Sequence, residues 1–161
     1  MAQNEALDVR LELIYNESVR AIALQASTLD EFRGRAGTII QSASIAGGIL
    51  GAVQIEKFHQ FTLITWVGIS AFGLVGLLTT AVLWPRWKWT FTSSPEKMLK
   101  AYMTTGSEKT VADVVKNAAK QLETAYDLND GRLKIISWLL AGSCASLVVE
   151  IVFFLVGLGR S

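Results

Sequence analysis

The chain has 161 residues, of which 51% are apolar and 18% charged, with a mean hydropathy of +0.37 and a formal net charge of +1. Soluble domains carry about 25% charged residues, so this balance excludes an ordinary water-soluble globule. The near-neutral charge excludes nucleic acid as a bulk electrostatic partner, and a single cysteine, Cys144, excludes an internal disulfide.

Residues 1–35 are polar to amphipathic and lack the basic, apolar and small-residue order of a secretory signal, so none is expected. Within residues 5–32, Leu7, Leu11, Ile14, Ile22 and Leu29 recur near helical spacing with charge between them. That pattern predicts an N-terminal amphipathic helix. Residues 36–55, AGTIIQSASIAGGILGAVQI, hold no ionisable side chain and predict a first membrane span, although they are poor in large apolar side chains. Residues 61–84, FTLITWVGISAFGLVGLLTTAVLW, hold none either and predict a second. In the connection over residues 85–134, the stretch 89–106, with Pro95 and several Ser and Thr, predicts a loop. Val111, Val114, Val115, Ala118, Leu122, Ala125 and Tyr126 then share one face of a helix over 110–129, with Ser107 as its expected cap. Asn129-Asp130-Gly131 either ends that helix or is read through into a third span, residues 135–159, which only Glu150 interrupts.

About 20 residues at about 1.5 Å each cross the roughly 30 Å of hydrocarbon. In lipid the backbone must satisfy its own hydrogen bonds, so each span is expected to be a helix. The predicted fold is therefore all-α: an integral membrane protein with three transmembrane helices plus cytoplasmic amphipathic helices.

Orientation follows from where Lys and Arg fall. Arg10, Arg20, Arg33 and Arg35 precede the first span, and the connection between the second and third holds nine more, from Arg86 to Lys134. The short loop between the first two spans has only Lys57, and the C-terminal tail only Arg160. The N-terminus is thus expected inside and the C-terminus outside. Trp84, Arg86, Trp87, Lys88 and Trp89 alternate ring and charge where the second span ends, and Trp138 stands at the start of the third. Indoles favour the headgroup layer, where the ring is shielded and the N–H finds a partner. Phe58, Phe61 and Trp66 would mark the opposite interface.

Candidate functional residues lie within the spans. Thr38, Gln41, Ser44, Gly48 and Gly51 follow steps of three or four and share a helix face, and Ala43, Gly47 and Gly51 form a small-xxx-small series. Such stripes bring helix backbones close together, or line a water path around an oligomer axis. Thr62, Thr65, Gly68, Gly76 and Thr79 make a similar face on the second span, interrupted at Phe72. A carboxyl such as Glu150 inside an apolar helix faces protein or water rather than lipid. It either serves a pore, a proton or a gate, or it bonds a neighbouring helix at Gln41, Ser44 or Thr65. His59 stands alone, Gly34 and Gly37 form no phosphate-cradling motif, and no cluster has metal-ligand spacing. No enzyme activity, cofactor or metal is expected.

Residues 27–40, STLDEFRGRAGTII, lead from a predicted cytoplasmic helix straight into a span. Leu29, Asp30, Arg35, Ala36, Gly37 and Thr38 in this segment resemble the juxtamembrane pattern of Pycsar-type transmembrane effectors and the related SLATT domains. The resemblance implies a non-enzymatic effector of bacterial antiphage defence, multi-pass in the inner membrane. Such an effector assembles as a homo-oligomer among membrane lipids and breaks membrane integrity when triggered by a cytoplasmic nucleotide signal or a sensor protein. The alternative is an accessory or scaffold subunit whose spans pack on a larger membrane partner.

Overall fold

The computed structural model describes residues 2–58, 63–85, 88–91 and 110–159. It has three helices, α1 (Ala2–Phe58), α2 (Leu63–Leu83) and α3 (Val111–Gly159), and no strand among the described residues. Each contains a stretch long and apolar enough to cross a bilayer. The chain is a multi-pass membrane protein.

Helix lengths follow from local chemistry. With 21 residues, α2 is about 31 Å long, close to the hydrocarbon thickness. It ends two residues before Pro85, whose ring disfavours helical geometry at Trp84. With 57 residues, α1 runs about 85 Å, so the expected N-terminal helix and first span are one element. No proline interrupts it. Where Gly34 and Gly37 weaken it, Asp30 pairs with Arg33 at 3.8 Å and Glu31 with Arg35 one turn on. The 49 residues of α3 likewise read through Asn129-Asp130-Gly131, because Asn129 turns its side chain away from its own backbone. The cap of α3 is Thr110, and Ser107 lies outside the described residues. Thr110 Oγ1 accepts from the Asp113 N–H at 3.3 Å, while Asp113 Oδ2 accepts from the Thr110 N–H at 3.2 Å, a reciprocal capping box.

The chain divides into two compact units, Met1–Leu29 with Lys88–Leu133, and Asp30–Trp87 with Lys134–Ser161. In the first, Ile22 of α1 and Leu122 and Ala125 of α3 form a small core, against which Tyr15 and Phe91 pack. Gln25 Nε2 donates to the Tyr126 carbonyl at 3.0 Å across that core. An apolar groove of about 950 Å³ lies beside it, lined by Leu11, Ile14 and Ala21 of α1 and by Ala119 and Tyr126 of α3.

In the second unit the buried positions are Ala36, Ile39 and Ala43 of α1, six residues of α2 from Thr65 to Val82, and a row on α3 that includes Ile136, Ser143 and Glu150. Burial recurs every seven residues along each helix: Ile22, Leu29, Ala36 and Ala43; Gly68, Val75 and Val82; Leu122, Asn129, Ile136, Ser143 and Glu150. Seven-residue recurrence keeps one seam facing its neighbours, as in coiled coils. The other faces carry large apolar side chains in the open, among them Leu63 at 80% exposure, Leu77 at 72% and Trp138 at 79%. Side chains exposed to that degree suit lipid, where they need no protein cover.

Candidate functional site

The site is built around Glu150 in the second unit. The seven-residue row puts Glu150 on the inner face of α3, one helical turn from Phe154. It is 0% exposed, and among the described residues neither carboxyl oxygen has a hydrogen-bond partner. Gly47 makes its place: a β-carbon there would stand 2.8 Å from Glu150 Oε1, closer than side chains allow, and 3.4 Å from the Phe72 ring. Phe154 uses two more glycines in the same way. Its ring lies 3.0 Å from where a Gly68 β-carbon would be and 3.8 Å from that of Gly51. The small-xxx-small series Ala43, Gly47 and Gly51 is thus the α1 face that receives α3.

A cavity of about 430 Å³ opens between α1 and α2, walled by Ser44, Gly47, Gly48 and Gly51 on one side and by Thr65 and Phe72 on the other, with Phe154 as its floor. Gly47, one of its walls, is also the residue whose β-carbon position lies 2.8 Å from Glu150 Oε1, and the Phe72 ring stands 3.4 Å from that same position. Its lining is mostly apolar, with hydroxyls from Ser44 and Thr65. Thr79, fully buried, returns its hydroxyl to the Val75 carbonyl at 2.7 Å, and Ser143 bonds Leu139 O at 2.9 Å. Such back-bonding lets hydroxyls sit in an apolar seam.

The sequence candidates separate into two faces. Gly47 and Gly51 are half-buried beside Glu150 and Phe154, whereas Thr38, Gln41, Ser44 and Gly48 are exposed. The Thr38 hydroxyl bonds the Gly34 carbonyl at 3.2 Å and Ser44 that of Ile40 at 2.8 Å, so Gln41 carries the conspicuous polar group of the outer face. Glu150 forms no bond with Gln41, Ser44 or Thr65. On α2, Thr65, Gly68 and Thr79 are buried, Gly76 is half-buried and Phe72 is partly exposed, and Thr62 lies outside the described residues.

No protein-family profile, curated protein or solved structure matches this chain. The site therefore rests on its own geometry.

Of the residues expected at the membrane interface, Trp84, Lys88 and Trp138 are exposed, while Arg86 and Trp87 lie outside the described residues. Trp89 is half-buried in the first unit, stacked on Phe91 with ring centroids 5.7 Å apart. Among the described residues no group of three or more His, Cys, Asp or Glu is placed to hold a metal. Phe154 was not singled out by sequence reasoning. The signal for it was the seven-residue row, in which Phe154 follows Glu150 at the companion position.

Proposed function

We propose that this protein is a homo-oligomeric membrane effector that perturbs membrane integrity, with subunits meeting along the outer face of α1. The observation that carries the reading is the exposure of Thr38, Gln41, Ser44 and Gly48, a polar and small face that the chain's own packing leaves uncovered. An amide in hydrocarbon without a partner costs several kcal/mol. A second copy, or water held between copies, removes that cost for Gln41. Small residues at Ser44 and Gly48 let the backbones approach.

The lysine and arginine distribution supports a cytoplasmic N-terminus and an outer C-terminus. Assignment to a bacterial inner membrane and to antiphage defence rests on the resemblance of residues 27–40. On that reading the trigger is a cytoplasmic nucleotide signal or a sensor protein, received by the part of the chain outside the bilayer.

Disulfide cross-linking tests the contact. Single cysteines at Gln41 and Ser44, in a Cys144→Ser background and in native membranes, should cross-link copies, whereas a cysteine at Leu77 should not. Dye release from vesicles holding the purified protein should be suppressed by Gly48→Leu. Absence of cross-linking together with unaltered release in Gly48→Leu would remove α1 from the assembly contact.

The open groove of the first unit favours a second reading, an accessory subunit of a larger membrane complex. Leu13, Ile14 and Tyr126 stand exposed along it, as a partner helix would need. Co-purification of one stoichiometric membrane partner, with no self-association of the pure chain, would select it.

A further inference from the structure

Among the acids whose side chains are described, Glu150 is the one that is fully buried with no hydrogen-bond partner. The groups that face it are few. From α1 comes Gly47, with Arg35 about 18 Å and Glu56 about 13 Å away along the helix. On α2 the nearest group given is Phe72, whose ring stands 3.4 Å from the Gly47 β-carbon position, and α2 has no ionisable side chain over its whole length. On α3, Cys144 is exposed and Lys134 lies about 24 Å along the axis. An unpaired carboxylate in such a place would carry the desolvation penalty of a bare ion.

We propose that Glu150 is an intramembrane proton-binding site: it carries its proton as the neutral carboxylic acid in the slot that Gly47 leaves open, and the cavity between α1 and α2 gives carriers dissolved in lipid access to it. The proton is coupled to helix packing. The neutral acid allows the Gly47 face to close on α3. Loss of the proton leaves a charge that must draw water through the cavity or part α1 from α3. The proton site itself uses groups of one protomer, while Ser44 and Gly48 wall the cavity and also lie on the proposed subunit contact; labelling at Glu150 reads the first and cross-linking the second, so the two readings can fail separately.

A lipid-soluble carbodiimide tests it directly. Such a reagent needs the protonated acid: the carboxyl proton passes to one carbodiimide nitrogen and the carboxyl oxygen adds to the central carbon. The O-acylisourea so formed rearranges to a stable N-acylurea with no leaving group. Wild-type protein in phosphatidylcholine vesicles should take up one dicyclohexylcarbodiimide at Glu150, located by peptide mass mapping. A water-soluble, charged carbodiimide should leave Glu150 unmodified. Glu150→Gln should lose the adduct. Gly47→Ala pushes a β-carbon against Oε1 and should change the rate, whereas Gly73→Ala, with open space at that position and outside the cavity lining, should match wild type. The mapping needs no variant, so a misfolded Glu150→Gln does not blunt the test. The proposal is overturned if Glu150 stays unmodified in vesicles while the denatured chain reacts, or if both reagents modify it equally. It is also overturned if Gly47→Ala and Gly73→Ala behave alike.

Discussion

Asn129 grips the backbone of Thr90 at both ends: its Nδ2 donates to the Thr90 carbonyl at 2.9 Å, and its Oδ1 accepts from the Thr90 N–H at 3.3 Å. A side-chain amide here imitates one rung of a β-ladder. It holds the segment 88–91 against α3 and leaves Phe91 on the core of Ile22, Leu122 and Ala125. Asn129 itself is fully buried, so neither half of the pair can be replaced by water without rearrangement.

Asn129→Ala should therefore destabilise the first unit by about 1–3 kcal/mol, the usual penalty for leaving buried polar groups unpaired. Asn129→Asp keeps the acceptor and loses the donor, so it should fall between wild type and Asn129→Ala. Thermal unfolding in detergent, followed together with tryptic cleavage at Lys88, measures both. Equal stability of all three proteins would show that the pair is incidental.

Gly68→Ala places a methyl 3.0 Å from two carbons of the Phe154 ring. That ring is 2% exposed and has little freedom to retreat, so overpacking of about 1–3 kcal/mol is expected. Gly73→Ala, on the same helix with open space around it, is the control and should be neutral or slightly stabilising. Phe154→Leu should partly rescue Gly68→Ala, since contacting residues couple in double-mutant cycles. Simple additivity of the two changes would sink the contact.

Phe154→Ala removes the floor of the cavity between α1 and α2. A loss of about 3–5 kcal/mol is expected, as for other buried phenylalanines. The enlarged void should bind a small apolar probe such as benzene or xenon, which raises the unfolding temperature of the variant but not of wild type. No ligand effect would mean that the helices collapse into the space.

Gln41→Leu leaves the protomer's own packing untouched, because the side chain is exposed. If its amide pairs copies, native mass spectrometry should show smaller assemblies, in keeping with about 1–2 kcal/mol for an interhelical polar contact in lipid. Unchanged or larger assemblies would place that face elsewhere.

Glu31→Gln breaks the ion pair to Arg35, yet both side chains are solvent-accessible. Stability should change by no more than about 0.5 kcal/mol. A larger drop, read from the unfolding midpoint at low and high salt, would show that the pair holds α1 together across Gly34.

Much of the fold was legible because hydrocarbon is an unforgiving solvent. Long uncharged runs such as residues 61–84 leave no alternative to a helix of bilayer length, and Pro85 marks its end in the sequence. The continuity of α1 through Gly34 and Gly37, and of α3 through Asn129-Asp130-Gly131, was not legible. In α3 the continuity goes with what a side chain does once the helix exists, the grip of Asn129 on Thr90; in α1 the exposed pairs of Asp30 and Glu31 add only a little beside the glycines.

The site divides in the same way. Glu150 stood out by itself, since a lone acid in an apolar span is expensive wherever it points. Composition and charge pattern thus determined that the chain is helical, that it spans a membrane, and that one acid, Glu150, lies within an apolar span. Only the tertiary structure decided that Gly47 rather than Gln41, Ser44 or Thr65 meets that acid, and that the Thr38–Ser44 face turns outward. The reason is geometric: neighbouring positions on a helix differ by about 100°, and which of two adjacent small-residue stripes faces inward depends on the shape of the helix packed against it.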